Sequence, residues 1–276
     1  MRSVQVVNRN TWREGRLSPG DRSVPEETAV ALTYNGGTYA VMMTTPQDLE
    51  DFALGFSLTE GIINSAADIE SLDIVPLDDG VELRVWLRKR EADRLQQRRR
   101  HIAGPTGCGL CGIESIAGAM RPAAVIRHGR KFSPESIMVA MKNAPLLQKI
   151  NIETRAVHAA AFWNSNNGIV ALREDVGRHN ALDKLSGALV RASIVASDGM
   201  ILLTSRVSVE MVQKSATLGA PVIVAVSAPT ALAVRMADAA GITLVAIARS
   251  DGFEVFTHPH RILHGPADNP STPAGP

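Results

Sequence analysis

Cys108 and Cys111 are the two cysteines of this 276-residue chain, and both lie in the string Thr106-Gly107-Cys108-Gly109-Leu110-Cys111-Gly112. A thiolate is a nucleophile and a metal ligand, and two thiols spaced C-x-x-C on a turn can reach each other, one metal ion or one shared substrate. Glycines 107, 109 and 112 carry no side chains to shield the sulfurs and allow backbone angles closed to other residues. Four uses compete. A structural zinc site needs about four nitrogen or sulfur ligands, and with no second cysteine pair the rest would have to be histidines or come from a symmetric copy. A disulfide closing so short a loop adds little stability and calls for an oxidising compartment, whereas Met1-Arg2-Ser3-Val4 begins no signal sequence. A thioredoxin-like dithiol usually opens a helix near an aromatic residue or Pro, and here Gly-Leu separates the cysteines. In the fourth use one thiolate accepts a sulfane sulfur as a persulfide and hands it on, which needs an exposed nucleophile. The motif alone does not choose among them.

A second polar constellation runs Glu174-Asp175-Val176-Gly177-Arg178-His179-Asn180-Ala181-Leu182-Asp183-Lys184, where a strand hands over to a helix. Capping and the helix dipole account for part of it, since Asp175 lies near the helix start. Arg178 and His179 could also hold an anion or position a proton donor, although a satisfied core histidine is the more usual outcome, and His158 falls under the same reading. Glu210, Gln213 and Lys214, three and four apart, form either a polar helix face or part of a site. Between Arg84 and Arg100 there are eight Lys or Arg and two acids. The run Arg98-Arg99-Arg100 leads into the cysteine string, where positive charge would lower a thiol pKa and attract an anionic substrate or acidic partner.

The elements that must carry these residues are readable from pattern. A net charge of +1 gives no global pull toward nucleic acid, and 45% hydrophobic residues can build a good core. No apolar run reaches the roughly 20 residues that cross a bilayer. Residues 1–22 lack a sustained period and are expected as a flexible, extended arm. An N-terminal α+β region over 23–130 is expected to be built on β-hairpins: 29–34 with 38–44 around Asn35-Gly36, and 72–77 with 81–87. Thr45-Pro46 reads as N-cap and first residue of a helix ending near Gly61, and 91–101 and 113–119 read as helices around the cysteine string. A boundary is expected near 121–131, followed by a C-terminal α/β domain over 131–265 and a loose tail over 266–276. That domain opens with a helix over 133–148, capped by Ser133 with Pro134 at its first position, and a hairpin over 157–172. From 178 it alternates helix 178–191, strand 200–204, helix 208–218, strand 221–226, helix 230–240 and strand 242–248. Val222-Ile223-Val224-Ala225-Val226 is apolar on both faces, as in parallel strands covered by helices. No H-x-E accompanies the C-x-x-C, so the zinc deaminase signature is absent, and no G-x-G-x-x-G joins a strand to a helix.

Ligands of open α/β sheets bind beyond the carboxyl ends of strands. Three loops qualify: Thr204-Ser205-Arg206, Ser227-Ala228-Pro229-Thr230 and Arg249-Ser250-Asp251-Gly252. Taken singly, Ser and Thr before a helix are ordinary caps, but the convergence of three such loops on one edge points to a site.

Tyr34-Asn35-Gly36, the stretch Pro46 to Ile63, Thr106 to Gly112, Glu174 to Lys184, Ser205-Arg206, Glu210 to Ala216 and Thr257-His258-Pro259 together resemble the FdhD/NarQ family of formate dehydrogenase accessory sulfurtransferases. The resemblance runs from about Ala29 to Ile262. It implies a cytoplasmic, homodimeric sulfurtransferase with a cytidine deaminase-like α/β sandwich and no resident metal. Such a protein takes persulfide sulfur from a cysteine desulfurase and passes it to the molybdenum cofactor, bis-molybdopterin guanine dinucleotide, for formate dehydrogenase. It also implies that Cys108 carries the persulfide with Cys111 assisting, and that the guanine nucleotide part of the cofactor sits at Ile247, Ala248, Arg249, Ser250, Asp251 and Gly252. A C-x-x-C dithiol oxidoreductase and a non-catalytic cofactor-binding chaperone are the alternatives.

Overall fold

The computed structural model describes residues 1–102 and 121–263, with the side chains of 98–102 left aside. Cys108, Cys111, the expected helix 113–119, the side chains of Arg98 to Arg100 and the tail from 264 lie outside what it describes.

Residues 1–22, expected as a flexible arm, are instead most of a long antiparallel hairpin of β1 (Val4–Arg13) and β2 (Arg16–Pro25). Glu14 and Gly15, both at positive φ, make the tight turn that matches strand twist. The hairpin is almost wholly exposed, so no buried face imposes the alternation that would have betrayed it in sequence. Arg22 ties it down through Nη2, which donates to the Thr154 carbonyl at 3.1 Å.

The next sheet has the order β4-β3-β6-β5, from β3 (Thr28–Tyr34), β4 (Gly37–Thr44), β5 (Ile69–Leu77) and β6 (Gly80–Leu87). Asn35 and Gly36 take the positive φ values of the expected hairpin turn. Asn35 also clamps β6, its Oδ1 accepting from Leu87 N at 3.1 Å. Alternation places Val30, Leu32, Tyr34, Val81, Leu83 and Val85 on one face, against Phe52 and Phe56 of α1 (Leu49–Thr59). The basic helix α2 (Lys89–Ile102) follows β6 and adds Leu95 to this core. Thr45-Pro46 does not start α1. The helix begins after Asp48, which sits in left-handed geometry without a side-chain cap, and Thr45 is fully buried for another purpose.

Residues 121–131 carry no regular structure but are not loose: Ile126 N donates to Ala240 O at 2.8 Å and Ala123 and Ile126 pack on the C-terminal core. Helix α3 (Pro134–Asn143) has the expected Ser133 cap, whose Oγ accepts from Ser136 N at 3.2 Å. The expected continuation to 148 is broken by Pro145 into a 3-10 turn at Ala144–Leu147, and a short α4 (Lys149–Thr154) follows.

The larger sheet has six strands in the order β12-β11-β10-β9-β7-β8. A hairpin of β7 (His158–Asn164) and β8 (Gly168–Asp175) leads into α5 (Arg178–Arg191). Then β9 (Gly199–Leu203), α6 (Val209–Leu218), β10 (Val222–Ala225), α7 (Ala231–Ala239) and β11 (Thr243–Arg249) alternate. Strands β9, β10 and β11 are parallel, as their two-faced apolar runs require. A last strand, β12 (Gly252–Val255), turns back antiparallel on β11 and was not legible beforehand. Helices α5 to α7 cover one face through Leu182, Leu185, Met211, Val212, Ala233 and Ala237, and α3 with the 3-10 turn after it covers the other through Ile137, Ala140 and Ala144. The whole is of mixed α/β class. No helix among the described residues is long and apolar enough to cross a membrane.

The two sheets are joined where α1 crosses α5. A Cβ built on Gly55 would stand 1.7 Å from the Asp183 carbonyl oxygen, and one built on Gly187 would stand 1.9 Å from that of Asp51. Backbone rests on backbone here, which only glycine allows.

Candidate functional site

The three sequence-expected loops do converge. Because β9 to β11 are parallel, their carboxyl ends share one edge, and main-chain bonds stitch the loops that leave them. Val207 N donates to Ala228 O at 3.4 Å, Thr230 N to Val207 O at 3.0 Å and Ile247 N to Ser227 O at 3.4 Å. Thr230 caps α7 by accepting from Ala233 N at 3.2 Å. Strand β8 also ends at this edge, since it is antiparallel to β7 and β7 is antiparallel to β9.

The stretch 247–252 divides in two. Ile247 has φ 53° within a bulge of β11, and Ala248 is buried in the core beneath α3 with its side chain turned inward. Arg249 pairs with Gly252 across the turn to β12, leaving exposed Arg249, Ser250 and Asp251 at the tip. The edge therefore presents the side chains of the tip and the backbone of 247–248.

Behind the edge two buried ion pairs bind the smaller sheet to the larger. Lys184 and Asp175 are both fully buried, with Nζ 2.6 Å from Oδ2. Lys184 Nζ donates to Thr45 O at 2.8 Å. Asp175 accepts from Thr44 Oγ1, from Thr45 N at 3.0 Å, from Gly177 N at 2.7 Å and from Asn180 Nδ2 at 3.0 Å. This is the use of buried Thr45: it is a joint between sheets. In the second pair, Lys214 Nζ of α6 lies 2.9 Å from Asp183 Oδ1, Glu60 Oε1 and Thr59 Oγ1. Thr59 Oγ1 in turn donates to Asp183 Oδ1 at 2.6 Å. Arg121, the first described residue after the cysteine string, is held at the same place. Its Nη2 donates to Thr59 O at 2.6 Å and its carbonyl accepts from Gln213 Nε2 at 2.8 Å. The chain thus returns from the cysteine string to a fixed point among Thr59, Glu60, Gln213 and Lys214. Glu174, the first residue of the polar string, accepts from Ile150 N at 2.9 Å and Asn151 N at 2.8 Å and so caps α4.

His179, on the first turn of α5, stands 3.9 Å from Glu210 on the first turn of α6. Burial, aided by Arg178 and Lys214, lowers its pKa to about 4. His158, at the start of β7, is shifted down as well, by burial and then by Arg178. Both rings are therefore neutral at pH 7. The folded His179 pKa lies below the ordinary value of about 6.5, so the unfolded chain takes up a proton in a range where the folded one does not. Stability is then full above pH ~6.5, falls as pH drops toward 4, and levels off below that. Discounted for the third of the side chain that solvent reaches, the loss is about 2 kcal/mol. Urea unfolding of wild type and His179→Gln at pH 7 and 4.5 checks this: the variant loses this part of the pH slope, and an unchanged slope refutes it.

The FdhD/NarQ family model matches residues 25–263, which include the cysteine string, the buried lysines and the loop edge. The chain belongs to the FdhD/NarQ family. It is 53% identical to the sulfur carrier protein FdhD of Agrobacterium fabrum over 95% of this chain and 97% of that one. To the protein of the same name from Cupriavidus necator it is 47% identical, over 92% and 88%. The fold is similar to the crystal structure described as that of a formate dehydrogenase accessory protein from Desulfotalea psychrophila. That match has TM-score 0.73 and 26% identity, and covers 95% of this chain and 100% of the other.

Proposed function

We propose that this chain is a sulfur carrier acting in formate dehydrogenase maturation. The observation that carries this reading is the likeness, over nearly the whole of both chains, to proteins named sulfur carrier protein FdhD, in a chain whose own two thiols form one C-x-x-C. In this reading the thiolate of Cys108 attacks the outer sulfur of a persulfide on a cysteine desulfurase. A new S–S bond forms, the desulfurase bond breaks, and its cysteine leaves as thiolate. Attack of Cys111 on the Cys108 sulfur then expels the outer sulfur as hydrosulfide to the acceptor and leaves a disulfide, which a dithiol reductant reopens. The acceptor is the molybdenum cofactor as substrate, bis-molybdopterin guanine dinucleotide, with its guanine nucleotide at the 247–252 tip. The stitched loop edge favours this placement, because nucleotides bind at carboxyl ends of parallel strands. A homodimer, a cytoplasmic setting and a deaminase-like layering of the larger sheet belong to the same proposal.

Mass spectrometry after incubation with a cysteine desulfurase and cysteine should show a gain of about 32 Da on Cys108, absent in Cys108→Ala. That variant should activate formate dehydrogenase at least tenfold less than wild type. Full activation by it would sink the assignment, and a dithiol oxidoreductase or a passive chaperone would show no such gain. Calorimetry with GDP tests the nucleotide tip: Arg249→Ala should bind more weakly, and equal affinity removes Arg249 from the site.

A further inference from the structure

The corner where β7, β8 and β9 meet α5 and α6 holds a cation without a counter-charge in hydrogen-bonding contact. Arg178 opens α5, whose first turn carries no acid, so a guanidinium stands at the positive end of the helix dipole. The two carboxylates just before it are engaged elsewhere, Asp175 by Lys184 and Glu174 by the start of α4. Among the described residues Arg178 makes no hydrogen bond or ion pair, and its Nε is buried without a partner. Nε2 of His179 is buried and equally unpartnered, Glu210 at 3.9 Å being beyond hydrogen-bond reach. The start of α6 faces the same corner and brings Glu210, whose carboxylate interacts with Arg178 and His179 through space without a hydrogen bond to either, and His158 enters from the start of β7 as the cross-strand partner of Asp175. Arg121 and Lys214 lie deeper, each already committed to Thr59 or Glu60. A buried donor of a cation left unpaired is costly, and a neutral ring nitrogen beside it adds to that cost, so the arrangement is explained by a ligand that accepts from them. Among the described residues no three metal-ligating side chains converge, which leaves an anion as the fitting class.

We propose that Arg178, His179 and His158, with the helix starts of α5 and α6, form an anion subsite for a phosphate-type group carried beyond the nucleotide of an elongated ligand. The proposal rests on the nucleotide reading given above for the 247–252 tip. Three to four strand steps separate the end of β11 from β7 and β8, roughly 14–19 Å at about 4.8 Å per step. A nucleotide seated at the tip therefore leaves the corner for a second anionic group farther along the same molecule. The planar fork of Arg and two neutral imidazoles suit a phosphate, which accepts from several donors at once.

The test is calorimetry on the full chain with two probes, inorganic pyrophosphate for the corner and GMP for the tip. Pyrophosphate affinity should fall at least tenfold in Arg178→Ala, recover in part in Arg178→Lys, and be unchanged in Arg249→Ala. GMP affinity should show the reverse pattern, lowered in Arg249→Ala and unchanged in Arg178→Ala. Pyrophosphate should also move the ring resonances of His179 in wild type and in Arg178→Lys, a readout that survives if the alanine variant misfolds. Equal pyrophosphate affinity in wild type and both Arg178 variants, or still His179 resonances, overturns the proposal. GMP affinity reduced as much by Arg178→Ala as by Arg249→Ala overturns the two-subsite arrangement and the proposal with it. If GMP fails to bind wild type while pyrophosphate binding still depends on Arg178, the nucleotide reading falls and the anion corner stands.

Discussion

Replacing Lys184 by methionine is expected to lower the free energy of unfolding by about 3–5 kcal/mol, the range for breaking one side of a buried ion pair. The side chains of Lys184 and Asp175 are fully buried. The variant keeps the volume but leaves the Asp175 carboxylate sealed from water, with Thr44, Thr45, Gly177 and Asn180 as its remaining donors. Those neutral donors soften the loss without replacing the charge. The effect should far exceed that of truncating a surface pair such as Arg84 with Glu82, which water screens. Asp175→Asn should cost less than Lys184→Met, because an amide keeps part of the acceptor role while Lys184 retains Thr45 O. Urea unfolding at pH 7 measures all three. A loss below about 1 kcal/mol in Lys184→Met would show that water reaches this pair in solution.

Gly187→Ala should be nearly as damaging, against the sign that helix propensity predicts. In an open helix the change would stabilise by about 1 kcal/mol. Here the new methyl group would meet the Asp51 carbonyl oxygen at 1.9 Å, and that oxygen belongs to a helix backbone that cannot rotate away. The helices must separate by more than an ångström, loosening Leu54, Phe56, Leu182 and Leu185 and stretching the Lys214 contacts to Thr59 and Glu60. A loss on the order of 3 kcal/mol follows, at the upper end of overpacking effects. Gly20→Ala, where an added Cβ meets nothing within 4 Å, serves as control and should be near neutral. A Gly187→Ala protein with wild-type stability would refute the backbone contact between the two helices.

What could be read beforehand was whatever left a periodic trace. The run 222–226, apolar on both faces, announced a covered parallel strand, Asn35-Gly36 announced its turn, and Ser133-Pro134 its cap; each rests on chemistry within a few residues. The misreadings share the opposite cause. Thr45-Pro46 has the local form of a helix start, but Thr45 is engaged by Asp175 and Lys184 from 130 and 139 residues away, and that contact decides its conformation. The hairpin at 4–25 buries almost nothing and so left no pattern, and β12 is four residues long, too short for alternation to show. At the candidate site, the three edge loops were legible because strand direction places them. The isolation of Arg178 was not, because it depends on where Glu174 and Asp175 send their oxygens. Ala248, expected among the nucleotide contacts, turns its side chain into the core.

The polar joints between the sheets also set an order of events during synthesis. Thr44 and Thr45 wait for Asp175, 131 residues later for the hydroxyl contact of Thr44, and Thr59 waits for Lys214, 155 residues later. A ribosome that has released only the first sheet and its helix has produced α1 with the glycine face open and with Asp51 and Glu60 facing no lysine or arginine of the second half. That surface closes only after α5 emerges, and Glu60 waits further still for Lys214 of α6. For most of its synthesis the nascent chain therefore displays a groove shaped for a helix, available to chaperones, and the first half gains its full stability only when the last third of the protein exists.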